Sequence, residues 1–473
     1  MITRIETDSL GSKAIPEAAY YGIHTKRAFE NFQISGQRMN PLLIKNMARI
    51  KKAAAIVHLN HNELSEIRAE AIIQACDEII EGKLEDQFIL DAFQGGAGTS
   101  ANMNVNEVIA NRALEIIGEL RGNYKIIHPN DHINKSQSTN DVYPTAGKMA
   151  VLEELLPLEQ ALIELENALG IKAKEFRNVI KIGRTQLQDA LPTNLGDSFK
   201  AYQAVIKREL KRIEAVKKEI QVVNLGGTAI GTAVNASKSY LKQIIPAINQ
   251  EFPVPLTQSK DLIDATQNLD GLVQVSARLK SLAVTLTKIS NDLRLMSSGP
   301  QAGIGEIRLP QKQVGSSIMP GKVNPVIPEV VSQIAFQVIG NDLSITLAAE
   351  NGQLELNAFE PVLFQNLLSS VNLLTNGVKT LTDNAILELK ANEDFCHESV
   401  MSSDIMITAL APFIGYEKSA SLLKEARLRQ VSVREVAFES KVLPVKQLNQ
   451  LLNPEYFINH QEELELVENL VYV

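Results

Sequence analysis

Apolar side chains recur at alternating steps of three and four residues through the middle of the chain. Leu158, Leu162, Leu165 and Leu169 do so, as do Ile206, Leu210, Ile213, Val216, Ile220 and Val223. The alternation is strictest in Val275, Leu279, Leu282, Leu286, Ile289 and Leu293, and in Phe364, Leu367, Val371, Leu374, Val378 and Leu381. Such spacing keeps one stripe of a helix facing a neighbour, and it predicts long, nearly parallel helices throughout about 145–395. Their other faces are rich in Ala, Thr and Leu, too apolar for a monomer's surface, which predicts a bundle shared between subunits. Shorter helices are expected at about 41–59, at 66–82 and from Asn104 to Ile116. The segment 396–473 is charged and mildly amphipathic, with Leu422, Leu423, Arg427, Val431 and Val436 on short helices. The expectation is an all-α chain in three parts: a mostly helical domain at 1–140, a central bundle at 141–395 and a small helical domain at 396–473.

Four polar stretches interrupt this pattern. In Gly315-Ser316-Ser317-Ile318-Met319-Pro320-Gly321-Lys322-Val323-Asn324-Pro325, prolines bar regular structure, glycines permit unusual backbone angles, and hydroxyl, ammonium and amide groups lie between them. A nucleotide phosphate loop is excluded: five residues separate Gly315 from Gly321 where that motif has four, and Val323 stands where a magnesium-binding hydroxyl belongs. What remains suits a small carboxylate, with Ser316 and Ser317 as hydroxyls, Lys322 as a point charge and Asn324 as an amide donor. The surrounding loop, 299–325, contains four prolines and five glycines and is expected to act as a lid.

The second stretch, Gln94 to Val108, places three glycines before Thr99 and Ser100, either of which could cap the following helix. Its residues fit a bare glycine turn as well as a carboxylate held at a helix start. In the third, Ser138, Thr139 and Asn140 precede a long helix, with Asn140 or Asp141 as its cap and Pro144 in its first turn. The fourth, Ile182 to Pro192, reads as a turn with a buried polar cluster. Arg184 and Asp189 there suggest a structural ion pair, and Thr185 and Gln186 suit ligand contact. Leu225 to Gly231 is glycine-rich but lacks dinucleotide spacing.

Composition narrows the function. The chain has 473 residues, 45% of them hydrophobic, and a formal net charge of −8 with no basic tract, which argues against nucleic-acid binding. Cys76 and Cys396 are expected to be reduced packing residues. No run of about 18 apolar residues and no signal-like start is present, so no membrane association and a cytoplasmic location are expected. The histidines at 24, 58, 61, 128, 132, 397 and 460 are scattered, and His58 with His61 reads as a helix-surface pair. No metal site and no cofactor are expected, although a loosely held activating divalent cation stays open.

The wording of Gly315 to Pro325 closely resembles the signature of the fumarase/aspartase superfamily, and the resemblance covers roughly residues 2–450. It implies a homotetramer with a central long-helix bundle, and an elimination that removes a proton from Cβ and a group from Cα of a succinyl-type substrate. By resemblance Ser316 is the base. Thr99, Ser138, Thr139 and Ser317 would contact one carboxylate, Lys322, Asn324 and Thr185 the other, and Asn140 and Gln186 the leaving group. The hydratases of the superfamily have histidine where Gln186 stands and a Trp-Gly-Ala-Gln opening, whereas this chain reads Tyr21-Gly22-Ile23-His24 and lacks tryptophan. An amide cannot exchange a proton to activate water, though its carbonyl can orient an ammonium group. The resemblance therefore implies the aspartase branch, converting L-aspartate to fumarate and ammonia. Gly321 departs from the alanine found in some of that branch. Fumarate hydration is the enzymatic alternative, and a catalytically silent helical scaffold the non-enzymatic one.

Overall fold

The structure, a computed structural model, describes residues 2–458; His460 and the rest of the C-terminal segment lie outside the described residues. An antiparallel ribbon, β1 (Thr3–Asp8) and β2 (Gly11–Pro16), opens the chain. Helices α1 (Ile23–Asn31), α2 (Pro41–Asn60), α3 (Glu66–Ile80) and α4 (Thr99–Ile116) follow, then the long α5 (Thr139–Glu175). A second ribbon, β3 (Ile180–Thr185) and β4 (Gln188–Asn194), leads into α6 (Leu195–Ile220). After α7 (Lys238–Ile248) and α8 (Leu262–Gln267) come α9 (Asp270–Met296), α10 (Val326–Glu350) and α11 (Glu360–Leu381). The chain continues through α12 (Glu393–Ser402), α13 (Ala411–Ile414), α14 (Tyr416–Arg429), α15 (Val433–Glu439) and α16 (Val445–Leu451).

Contacts divide the chain into two compact units. The first comprises Met1–Ala161, Glu209–Val284 and Ile334–Asn376; the second comprises Leu162–Arg208, Thr285–Gln333 and Gly377–Val473. The boundaries fall inside the long helices, so each unit has its own share of the heptad-like stripes. In the first unit Leu158, Val275, Leu279, Leu282, Phe364, Leu367, Val371 and Leu374 are buried. In the second, Leu162, Leu165, Leu169, Leu286, Ile289, Leu293, Val378 and Leu381 are buried. A separate cluster there gathers Val400, Leu422, Val436, Leu448 and Leu451, with Leu423 and Val431 packed against it.

Local chemistry explains where several elements begin. Asn40 accepts the N–H of Leu42 at 2.8 Å, and Pro41 occupies the first turn of α2, as helix starts favour. The Tyr20–Arg27 stretch runs into α1, whose free N–H groups are taken by two buried carboxylates. Glu107 accepts from the N–H of Gly22, His24 and Thr25, and Glu6 from that of Ile23. Both groups meet a helix N-terminus, where negative charge is favoured.

Some sequence expectations need correcting. Residues 145–395 are not helical throughout: the β3–β4 ribbon and several loops interrupt them. The helix expected from Asn104 starts five residues earlier, at Thr99. His58 is not a surface residue. It is buried, stacks on Tyr240 with ring centroids 5.4 Å apart, and bonds Glu63 and the carbonyl of Lys135. Both cysteines are free and buried, as expected. Among the described residues, α10 is long and apolar enough to cross a membrane by length and composition. Its exposed residues Phe336, Ile339, Leu343 and Leu347 fall at helical spacing on one stripe.

One buried group in the first unit makes stability depend on pH. Glu360 is 1% exposed and its Oε1 has no hydrogen-bond partner among the described residues. Burial pushes its carboxyl from 4.5 up to about 8, with Lys148 pulling the other way. A carboxyl raised above its unfolded value contributes fully below about pH 4.5, and that contribution is lost as pH rises toward 8. Glu360→Gln keeps the shape and has no proton to lose. Relative to the parent, its melting temperature is expected to rise by roughly 2 °C or more at pH 9 and to match at pH 5. An equal difference at both pH values would contradict this.

Candidate active site

The candidate residues of the first unit stand at the starts of α4 and α5. Before α4 the chain turns through Gly96, Ala97 and Gly98, all at positive φ. Gly98 is obligatory, because a Cβ there would lie 2.5 Å from the Tyr143 ring. Gly98 is itself the N-cap, so neither Thr99 nor Ser100 caps the helix as expected. Gln94 serves the first turn instead, its Oε1 accepting from the N–H of Ala101 at 2.9 Å. The Thr99 hydroxyl is therefore not consumed by capping, and it sits half-buried in the first turn.

At α5 the cap is Ser138, not Asn140 or Asp141. The Ser138 Oγ accepts from the N–H of Asn140 at 3.2 Å, and Asp141 reaches back to accept the N–H of Ser138 at 2.9 Å, a reciprocal capping box. The other oxygen of Asp141 accepts the N–H groups of Gly226 and Thr228, each at 3.0 Å. The glycine-rich 225–231 stretch thus has a structural purpose: it wraps a fully buried carboxylate. Burial raises the Asp141 carboxyl to about 6, against the pull of those N–H groups and Lys51.

Pro144 lies in the second turn of α5, not the first. Lacking an N–H, it leaves the carbonyl of Asn140 without its helical partner, and the Asn224 side chain donates to that carbonyl at 2.9 Å. The Asn140 side chain donates its own Nδ2 to the carbonyl of Ala229 at 2.7 Å. Its Oδ1 is then the end left over, an acceptor suited to an ammonium group.

In the second unit, Thr185 and Gln186 occupy the tip of the β3–β4 ribbon. Gln186 and Leu187 form a two-residue turn with both φ values positive, at 52° and 64°. Thr185 and Gln186 are exposed, so the expected buried cluster is absent at the tip. Arg184 does not pair with Asp189. Its Nη1 lies 2.5 Å from Glu306, which is 0% exposed and also 3.0 Å from Lys181. This triad ties the ribbon to the start of the long polar loop.

The 315–325 loop is fastened by its own backbone. The N–H of Gly315 bonds the carbonyl of Lys322 at 2.9 Å, and the Asn324 side chain donates to the carbonyl of Gly315, also at 2.9 Å. A Cβ at 315 would collide with that Lys322 oxygen at 2.7 Å. One of the two Asn324 donor hydrogens is thereby used and one remains. Ser316 Oγ accepts two backbone N–H groups, Ile318 at 3.2 Å and Met319 at 2.9 Å. Two donors on one hydroxyl oxygen favour negative charge there. Ser317 and Lys322 are exposed, and among the described residues no carboxylate pairs with Lys322.

The family model described as Lyase matches residues 11–340, and that described as Fumarase C C-terminus matches residues 406–459. The chain belongs to the fumarase/aspartase superfamily. Similarity to superfamily members extends far beyond the 315–325 signature. The chain is 50% identical to an aspartate ammonia-lyase of Bacillus sp, covering 97% of each chain, and 49% identical to one of Helicobacter pylori (strain ATCC 700392 / 26695), covering 96% of this chain and 98% of that one. A solved fumarate lyase:delta crystallin from Brucella melitensis, bound to cobalt, is 49% identical with a TM-score of 0.93, covering 96% of this chain and 99% of that one. A class II fumarase from Schistosoma mansoni is 34% identical with a TM-score of 0.91, covering 96% and 98%.

Several residues that hold the candidate residues in place escaped the sequence reading: Gln94, Asn102, Asn134, Asp141 as a bracket and Asn224 in the first unit, and Glu306 in the second. One signal was available. Asn102, Asn104 and Asn106 recur inside a helix, where asparagine is a poor former, and all three are buried.

Proposed function

We propose that this protein is a carbon–nitrogen lyase that releases ammonia from L-aspartate to give fumarate, and runs the reverse addition. Removing the Cβ proton leaves electrons that pass into the adjacent carboxylate as an enediolate carrying a second negative charge. Thr99, Ser138, Thr139 and Ser317 donate to that carboxylate. Lys322, Asn324 and Thr185 hold the α-carboxylate, and the carbonyl oxygens of Asn140 and Gln186 orient the ammonium group. Each well-aimed donor to the developing charge is worth about 3 kcal/mol. Ser316, acting as its alkoxide, takes the proton and becomes the hydroxyl, and its two backbone N–H donors support the negative charge that role needs.

The observation that carries this reading is the 50% identity to an aspartate ammonia-lyase across 97% of the chain. Gln186, in place of an imidazole, supports ammonia rather than water as the group added. The test is ammonia release and fumarate absorbance on incubation with L-aspartate. Malate formed from fumarate in ammonium-free buffer would overturn it in favour of the hydratase.

The proposal includes a cytoplasmic homotetramer, acting on a small-molecule substrate without a cofactor and binding neither nucleic acid nor membrane. The unpartnered stripe on α10, with Phe336 62% and Leu343 61% exposed, supports assembly. Leu343→Glu is expected to lower the sedimentation coefficient to that of smaller species and to cut activity more than about tenfold, since burying each leucine stabilises by roughly 2 kcal/mol. An unchanged coefficient would place the interface elsewhere.

A further inference from the structure

Beneath the start of α5 lies a buried polar chain that the proposed mechanism does not use. Lys51 of α2 is 1% exposed, and its Nζ donates to Oδ1 of Asn134 at 2.7 Å. The same Oδ1 receives Nδ2 of Asn106 at 3.3 Å and Nδ2 of Asn102 at 3.2 Å. Nδ2 of Asn102, 1% exposed, also donates to Oγ1 of Thr139 at 3.0 Å.

The direction of every bond in this chain follows from one carbonyl. The Gln137 carbonyl can only accept, so Asn134 must turn its Nδ2 toward it, at 3.1 Å, and its oxygen toward Lys51, whose Nζ donates there. Asn102 also meets the Asn134 oxygen, so it must present Nδ2; the flipped amide would set two acceptors against each other. That leaves the Thr139 oxygen accepting, and its proton free to be given away. Among the described residues, no protein acceptor takes that proton. Thr139 is nearly buried at the head of α5, so an unused O–H there is costly without a partner.

We propose that Asn102 is a positioning residue, its orientation set through Asn134 by the Gln137 carbonyl, that turns the Thr139 hydroxyl to donate toward the substrate carboxylate. This rests on the reading of Thr139 as a substrate contact. The Asn102 N–H fills one of the two acceptor positions on the Thr139 oxygen, which biases the O–H toward the substrate side and favours an acceptor there, a carboxylate, over a donor.

The test is a double-mutant cycle on kcat/KM for L-aspartate, followed by fumarate absorbance, with Thr139→Val, Asn102→Leu and the double variant. Thr139→Val is expected to lose about 100-fold and Asn102→Leu about 10-fold, and the double variant is expected to be no worse than Thr139→Val alone. Multiplying losses would show that Asn102 acts independently of Thr139 and would overturn the proposal. Near-normal turnover in Thr139→Val removes the contact reading and this inference with it. A crippled Thr139→Val beside a near-normal Asn102→Leu removes this inference alone. Circular dichroism and melting temperature check each variant, with Asn102→Ala replacing a leucine variant that does not fold. Failure of both to fold would assign Asn102 to the core and overturn the proposal as well.

Discussion

Ser316→Ala is expected to lower kcat about a thousandfold while changing KM for L-aspartate by no more than about threefold, the pattern of a group that acts only in the transition state. A serine hydroxyl is an unfavourable base, and the loop supplies a reason for it to work. The N–H groups of Ile318 and Met319 both point at Oγ, at 3.2 and 2.9 Å, and would stabilise the oxygen whenever it carries negative charge. These donors belong to the backbone, so they are already in place before substrate arrives. Alanine removes the oxygen and also leaves those two N–H groups without an acceptor, so a disturbed loop is a rival explanation for lost activity. Ser317→Ala separates the two: its side chain makes no such bonds among the described residues, and a loss of about 100-fold, that of one donor to the developing charge, is expected, with the loop intact. The decisive measurement is the single-turnover rate of fumarate formation. A Ser316→Ala rate within tenfold of the parent would remove Ser316 from the chemistry.

The helical frame was legible because burial imposes a period. Each residue named in the two strict stripes, from Val275 to Leu293 and from Phe364 to Leu381, is buried. The starts of the helices were less legible, since a cap is decided by which side chain reaches a free N–H. The Ser138–Asp141 pair carried the spacing of a capping box, but reading its last member as the cap inverted the roles. Long-range partners left no trace in local spacing. Nothing near Arg184 announces Glu306, 122 residues away, whereas Asp189 was close in sequence and the wrong choice. The glycine-rich 225–231 stretch likewise made sense only once its N–H groups were seen on Asp141. The candidate polar residues were visible, and the groups that hold them were not.

Lys322→Ala is expected to raise KM for L-aspartate at least about 30-fold and to lower kcat as well, a total of about 3 kcal/mol or more for a charge-assisted contact. The backbone around this residue is fixed on both sides: its N–H bonds the carbonyl of Met319 at 3.2 Å, and its own carbonyl accepts from Gly315 at 2.9 Å. The side chain, by contrast, is exposed and has no carboxylate partner among the described residues. A cation held on a rigid base, with its charge unneutralised, is arranged to receive an anion from solution. Because the alanine variant keeps both backbone bonds, the loop should survive and melting temperature should be unchanged. Lys322→Arg retains charge but replaces a compact ammonium by a wider planar fork, so it should recover part of the affinity and little of the rate. Raising salt should weaken binding in the parent more than in Lys322→Ala, since the variant has already lost the screened attraction. Equal salt dependence in the two would mean that the α-carboxylate is held by some other cation.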